Sequence, residues 1–305
     1  MRDYYEKFAV PVTAGGAANI AGVAFSLGPL YFAYRRQSKN PSSYGDLFKE
    51  FKSLEGWARA YKAVVPAVKM APLQSLGYSS VVIYYTENYK KTVNSENPNA
   101  VKIPLTIAAK AGFYSALTET VFSVYYLKKM FDKWNHSHHE HSMNRATVSR
   151  IFFMTLFKNG VANPMTVVGV YAAKLQMDRL LGDENSTNSV CERSPQLSAI
   201  AGFMGALAAN MGFAPLVTLQ TRVMEAPQHS IRWHSQKIGK QGPKVLWAGV
   251  GARAVAKGIQ SAVGFGLVPV LVSALNANRF FVPGEDQRHL EPHLQINSPT
   301  TPTKT

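Results

Sequence analysis

Of 305 residues, one is a cysteine and only 18 are acidic, against 33 lysines and arginines. The lone thiol, Cys191, excludes an intramolecular disulfide and a thiolate metal cluster, so nothing points to a secreted, cross-linked fold. The shortage of acid leaves a net charge of +15, which implies an acidic partner: nucleic acid, anionic lipid or anionic solute. The chain lacks a Gly-x4-Gly-Lys-[Ser/Thr] phosphate loop, a Gly-x-Ser-x-Gly elbow and a His-Glu-x-x-His zinc motif, so neither an enzymatic activity nor a cofactor is expected. The N-terminus, MRDYYEKFAV, has no small-residue cleavage site and is not an Arg/Ser-rich transit peptide, so any membrane targeting is expected to be internal. The His-rich run NHSHHEHS, with His136, His138, His139 and His141, has metal donors but no fixed geometry, and no metal site is assigned to it.

Apolar and small residues gather in six stretches, roughly 9–35, 63–86, 103–127, 151–177, 196–221 and 245–276, each long enough for about 20 residues of helix. A mean hydropathy of −0.09, with Lys69 and Lys110 inside the second and third stretches, keeps a soluble helical protein open. Against it, AGGAANIAG, AGFMGALAAN and GVGARAVAKG space Gly and Ala three and four residues apart. That spacing lets helix backbones approach closely where lipid supplies no hydrophobic drive. Setting GGAANIAGVAFSLGP over AGFYSALTETVFSVY and AGFMGALAANMGFAP aligns Gly16, Gly112 and Gly202, at offsets of 96 and 90 residues. The same offsets align AYKAVVP with LFKNGVA and LWAGVGA, and three repeats of two helices follow.

With these repeats the chain resembles the mitochondrial carrier family over about residues 9–276. In that family each repeat carries Pro-x-[Asp/Glu]-x-x-[Lys/Arg]-x-[Lys/Arg] at the end of its odd helix, then a surface helix, then [Asp/Glu]-Gly-x4-[aromatic]-[Lys/Arg]-Gly before the even helix. EGWARAYKA fits the second motif through Glu55, Gly56, Tyr61 and Lys62; QGPKVLWAG fits through Gly242, Trp247 and Gly249; the middle repeat keeps Phe157 and Lys158. The resemblance implies an all-α membrane protein of six transmembrane helices in three pseudosymmetric repeats. Repeat 1 is 1–98, repeat 2 is 99–186 and repeat 3 is 187–280; residues 281–305 form a Pro/Thr/His-rich tail expected to be disordered.

The first motif is depleted of charge. Pro29 and Pro215 keep the kink positions, but Tyr31 and Tyr34, Leu127 and Met130, Val217 and Gln220 hold the acidic and basic places. The family's gate pairs would therefore be Tyr31 with Met130, Leu127 with Gln220 and Val217 with Tyr34, none of them ionic. An apolar plug can replace ion pairs with little loss of stability, yet alternating access needs a closure that opens. Both outcomes, a changed gate and an abandoned one, stay open at the level of sequence.

The family's solute-contact positions map onto Met70, Thr166 with Val167, and Ala256, all uncharged, with Lys69 and Lys257 adjacent. Either lysine faces a neighbouring helix and snorkels, or it serves the ligand. Lys69, Lys110, Arg253 and Lys257 are read as the cations deep within helices. On that provision the expected solute is neutral or singly charged. Basic residues concentrate in the odd-to-even loops, for example Arg35, Arg36, Lys128, Lys129, Lys237 and Lys240, while the opposite loops are near neutral. The bias places the basic loops in the matrix against anionic lipids, and their dispersal without stacking aromatics argues against nucleic acid. The expected protein is a monomeric solute transporter of the inner mitochondrial membrane. The alternative is a carrier-shaped scaffold or adaptor that does not transport, for which the outer membrane is open.

Overall fold

A computed structural model describes residues 9–37, 42–58, 60–62, 69, 73, 77–94, 101–134, 145–182, 189–226 and 228–278, and of the helix beyond Val124 up to 134 the backbone alone. All regular structure among the described residues is helical. In chain order the helices are α1 (Val10–Phe25), α2 (Leu27–Gln37), α3 (Tyr44–Phe51), α4 (Ser79–Val93), α5 (Leu105–Trp134), α6 (Arg145–Leu181), α7 (Val190–Arg193), α8 (Pro195–Gly212), α9 (Ala214–Glu225), α10 (Ile231–Gln241) and α11 (Val250–Asn278); a 3₁₀ turn, Pro243–Trp247, precedes α11.

Hydroxyl caps start several of these helices: Ser43 Oγ accepts from Asp46 N, Ser194 Oγ from Leu197 N, and Ser230 Oγ from Trp233 N. Prolines set the bends. α1 and α2 meet at 66° and α8 and α9 at 70°, with Ser26 and Phe213 at the breaks. Pro29 and Pro215 lie just beyond those breaks and have no N–H to continue the ladder, so the direction changes there. At the corresponding place in the middle repeat stands Tyr125, and α5 runs unbroken.

Six helical legs, two of them bent, close into a ring: α1 packs on α4, α4 on α5, α5 on α6, α6 on α8, α8 on α11, and α11 back on α1. Glycine makes the closest approaches. A Cβ at Gly205 of α8 would fall on the backbone of Gly169 and Val170 in α6, and one at Gly112 of α5 would lie 2.5 Å from Pro164 Cα. Gly249 takes a left-handed φ of 71°, and a Cβ there would sit 2.8 Å from Ala33 O, so the entry to α11 docks on α2 only with glycine.

The ring is apolar outside and charged within. Val121, Phe153, Ile200 and Met204 are exposed on its outer faces, whereas Glu119, Lys158 and Lys174 line the interior. By length and composition, among the described residues, one helical segment, Pro243–Leu275, suffices to cross a membrane, and up to three do if each bent pair counts as one span. Glu119 of α5 and Lys158 and Lys174 of α6 lie within these long helices and line the cavity.

Candidate functional site: a charged central cavity

The ring encloses a cavity of about 1190 Å³. At one end it reaches the exposed residues Asn88 and Lys91; at the other it stops at the level of the bends, where Val23 and Phe213 line it. Beyond lies an apolar cluster that draws Leu30 and Tyr34 from α2, Val124 from α5, Ile151 from α6, Met224 from α9 and Ala256 from α11. The cavity is thus closed on the bend side by apolar packing, to which α2, α3, α5, α6, α9 and α11 contribute.

Two levels of charge line the walls. Near the open end, Glu192 of α7 accepts from Lys174 Nζ at 2.5 Å and from Lys90 Nζ at 2.7 Å, while Lys90 also reaches Glu87 at 2.9 Å. Within this network two lysines face two glutamates, while Lys91 and Arg193 line the same end from the exposed rim. Burial opposes ionisation of Glu192, but Lys174 and Lys90 outweigh it and hold the carboxyl at about 2. The strap is set locally, because Ser189 Oγ caps α7 through Glu192 N and Asp178 Oδ1 accepts from Cys191 N. Burial, with Asp178 adjacent, pushes the Cys191 thiol up to about 12.

The deeper level is not balanced. Lys158 of α6 and Arg253 and Lys257 of α11 face one acid, Glu119 of α5, and Lys158 interacts electrostatically with all three. Asn163 Nδ2 donates to Glu119 Oε2 at 2.7 Å. Lys257 Nζ donates to Gln260 Oε1 at 2.8 Å, and Gln260 Nε2 passes the chain on to Ser26 Oγ at the α1 bend. Arg253 is 4% exposed, with Nε and Nη1 buried and without a hydrogen-bond partner; its guanidinium lies 5.7 Å from the Tyr34 ring centre.

Of the sequence-derived solute positions, Thr166 and Lys257 line the cavity. Val167 is buried between helices with Ala108 and Tyr171, and Ala256 belongs to the apolar cluster below. Lys69 is exposed and does not line the cavity; Met70 lies outside the described residues. Lys110 is exposed near the start of α5, where its head can reach an interface. The interior charges beyond the mapped positions include Lys158, Glu119 and Lys174, with Lys90, Glu87 and Glu192 nearer the open end. Lys158 was absorbed into the even-helix motif, and Glu119 and Lys174 lie inside long apolar stretches, which is itself the signal of a polar interior.

At the mapped gate the side chains take other partners. Tyr31 OH donates to Glu50 Oε1 at 2.9 Å, Gln220 Nε2 donates to Thr155 Oγ1 at 3.1 Å, Val217 packs with Ala162 and Phe213, and Tyr34 lies against Arg253. The side chains of Leu127 and Met130, and the whole of the His136–His141 cluster, lie outside the description. Among the described residues no group of His, Cys, Asp and Glu is arranged to hold a metal ion. No protein-family model matches the chain, and no curated protein matches it at a significant level.

Proposed function

We propose that this protein is a membrane-embedded solute transporter of the mitochondrial carrier type, with six spans in three two-helix repeats, moving a small solute through the central cavity by alternating access. The observation that carries the reading is the closed six-legged ring with charge inside and apolar residues outside. A water-soluble bundle has the reverse distribution, because its exposed faces must be polar and its interior dry. Supporting it are bends at Pro29 and Pro215, which bring helix ends toward the apolar closure on one side. On this reading the basic loops lie in the matrix against anionic lipid, the inner mitochondrial membrane is the site, and the unit is a monomer without catalytic or nucleic-acid-binding activity.

Residues 9–278 correspond to the three repeats, and the gate of this transporter is uncharged: its closure is the Leu30–Val124–Met224 packing rather than an ionic network. The same feature favours a second reading, a non-transporting carrier-like scaffold or adaptor, since water that enters an apolar plug solvates no freed charges and gives no drive to open it.

Alkaline carbonate extraction tests membrane integration, and release into the supernatant contradicts both readings. Reconstitution into liposomes with a panel of phosphate, carboxylates, amino acids and nucleotides separates them. Saturable uptake of one class is the transporter outcome; no flux of any class from folded protein is the scaffold outcome.

A further inference from the structure

We propose that the deep end of the cavity is an oxyanion site, in which Arg253, Lys158 and Lys257 bind a small solute carrying two negative charges, of the phosphate or dicarboxylate class. The site rests on the cavity geometry, and only its use in transport rests on the reading above.

Three observations carry it. Near the open end Lys90 and Lys174 are engaged by Glu192 and Glu87, and the remaining cations that line it, Lys91 and Arg193, are exposed at the rim. The deep level has three cations and one carboxylate, an excess of two positive charges on walls that six helices keep in place. Within it, Arg253 is almost fully buried, lines the cavity and leaves Nε and Nη1 without an acceptor. A buried guanidinium with unused donors is destabilising until something accepts from it. Nε and Nη1 lie on different edges of the guanidinium, so Arg253 offers an oxyanion its fixed charge and donors from separate edges rather than one Nε–Nη1 fork. Lys158 and Lys257 then neutralise the second charge from α6 and the next turn of α11, while Glu119, held by Asn163, limits the excess and disfavours more highly charged nucleotides. This solute differs from the neutral or singly charged one expected when Lys69 and Lys257 alone are counted, because Lys69 is outside the cavity and Lys158 and Arg253 are in it.

The test is a ligand-dependent thermal shift of the purified full chain in detergent at constant ionic strength. Inorganic phosphate and succinate are the two divalent probes, acetate the univalent one and glycerol the neutral one. Saturable stabilisation by phosphate or succinate, exceeding that of acetate by about tenfold in apparent affinity, is expected, and whichever of the two is preferred identifies the class. Arg253→Gln is expected to abolish the shift, and Lys257→Gln and Lys158→Gln to weaken it roughly tenfold each. Glu119→Gln, which preserves the hydrogen bond to Asn163 in shape but removes the opposing charge, should strengthen it. That gain of affinity cannot arise from misfolding and decides the matter if Arg253→Gln fails to fold. Equal shifts from phosphate and acetate, or a shift indifferent to both Lys257→Gln and Glu119→Gln, would overturn the site. Binding of phosphate or succinate without uptake in vesicles would leave the site standing and remove the transport reading. Uptake that ignores these residues would do the opposite.

Discussion

Glu192 shows how one side chain ties distant segments together. Among the described residues it is the one acid shared by Lys90 and Lys174, and it joins α4, α6 and the strap before α8 at the open end of the cavity. Its folded carboxyl titrates near 2 rather than the ordinary 4.5, because the two lysines outweigh its burial. A depressed acid contributes stability above its unfolded value and loses it as pH falls through the folded one. The thermal midpoint in detergent should therefore decline between pH 4.5 and about 2, and Glu192→Gln should remove that part of the decline. At neutral pH the same change leaves two buried lysines under-compensated, with an expected loss of about 3 kcal/mol, read as a lower midpoint. A midpoint for Glu192→Gln equal to wild type at pH 7 would show that the strap does not hold the ring. Glu192's neighbour Cys191 behaves oppositely: with its thiol pushed up to about 12 by burial, it should resist alkylation at neutral pH until the protein is denatured, and rapid labelling of the folded chain would contradict its placement.

At the scale of elements, glycine separates contacts from bystanders. Gly205 and Gly160 both lie inside helices, but a Cβ at Gly205 meets the α6 backbone, whereas at Gly160 nothing lies within 4 Å. Gly205→Ala should lower the thermal midpoint by the equivalent of about 1–3 kcal/mol, since backbone must move. Gly160→Ala should leave it unchanged or raise it by up to about 1 kcal/mol through helix propensity. Matching effects at the two positions would mean that α6 and α8 do not cross there. The small-residue spacing in AGFMGALAAN made this crossing legible, because Gly205 falls in the run read as a helix-packing face. The two bends were legible for the same kind of reason: a proline has one local consequence, and both breaks occur within three residues of Pro29 and Pro215. Side-chain partnerships were not. Tyr31 reaches Glu50 of α3 and Gln220 reaches Thr155 of α6, and neither could be read from a periodic alignment that pairs repeats by position alone. The contact positions at Val167 and Ala256 illustrate the register problem: each sits in helix packing, while residues one or several places along, Thr166 and Lys257, line the cavity. On a helix a single step turns a side chain by about 100°.

At the scale of the whole molecule, among the described residues, Glu119, Lys158, Lys174, Glu192, Arg253 and Lys257 surround a central volume, while large apolar side chains such as Val121, Phe153, Ile200 and Met204 are exposed. The six apolar stretches anticipate helical legs, but the electrostatics of the interior depend on Glu119, Lys158 and Lys174, whose inward direction only the ring defines. On the transporter reading proposed above, this cavity, closed at the bends by the Leu30–Val124–Met224 packing, opens alternately to each side of a membrane. Thr166 lines the cavity and hydrogen-bonds only within its own helix, to Ala162 O, so Thr166→Cys places a reporter there with little disturbance. With the buried Cys191 as the blank, a membrane-impermeant thiol reagent is applied to sealed vesicles of both orientations containing the full chain. On that reading Thr166→Cys is labelled from either face, with the balance between the faces shifted by phosphate or succinate. Labelling from one face only, under every solute condition, would contradict alternating access and leave a carrier-shaped protein with a permanently closed end.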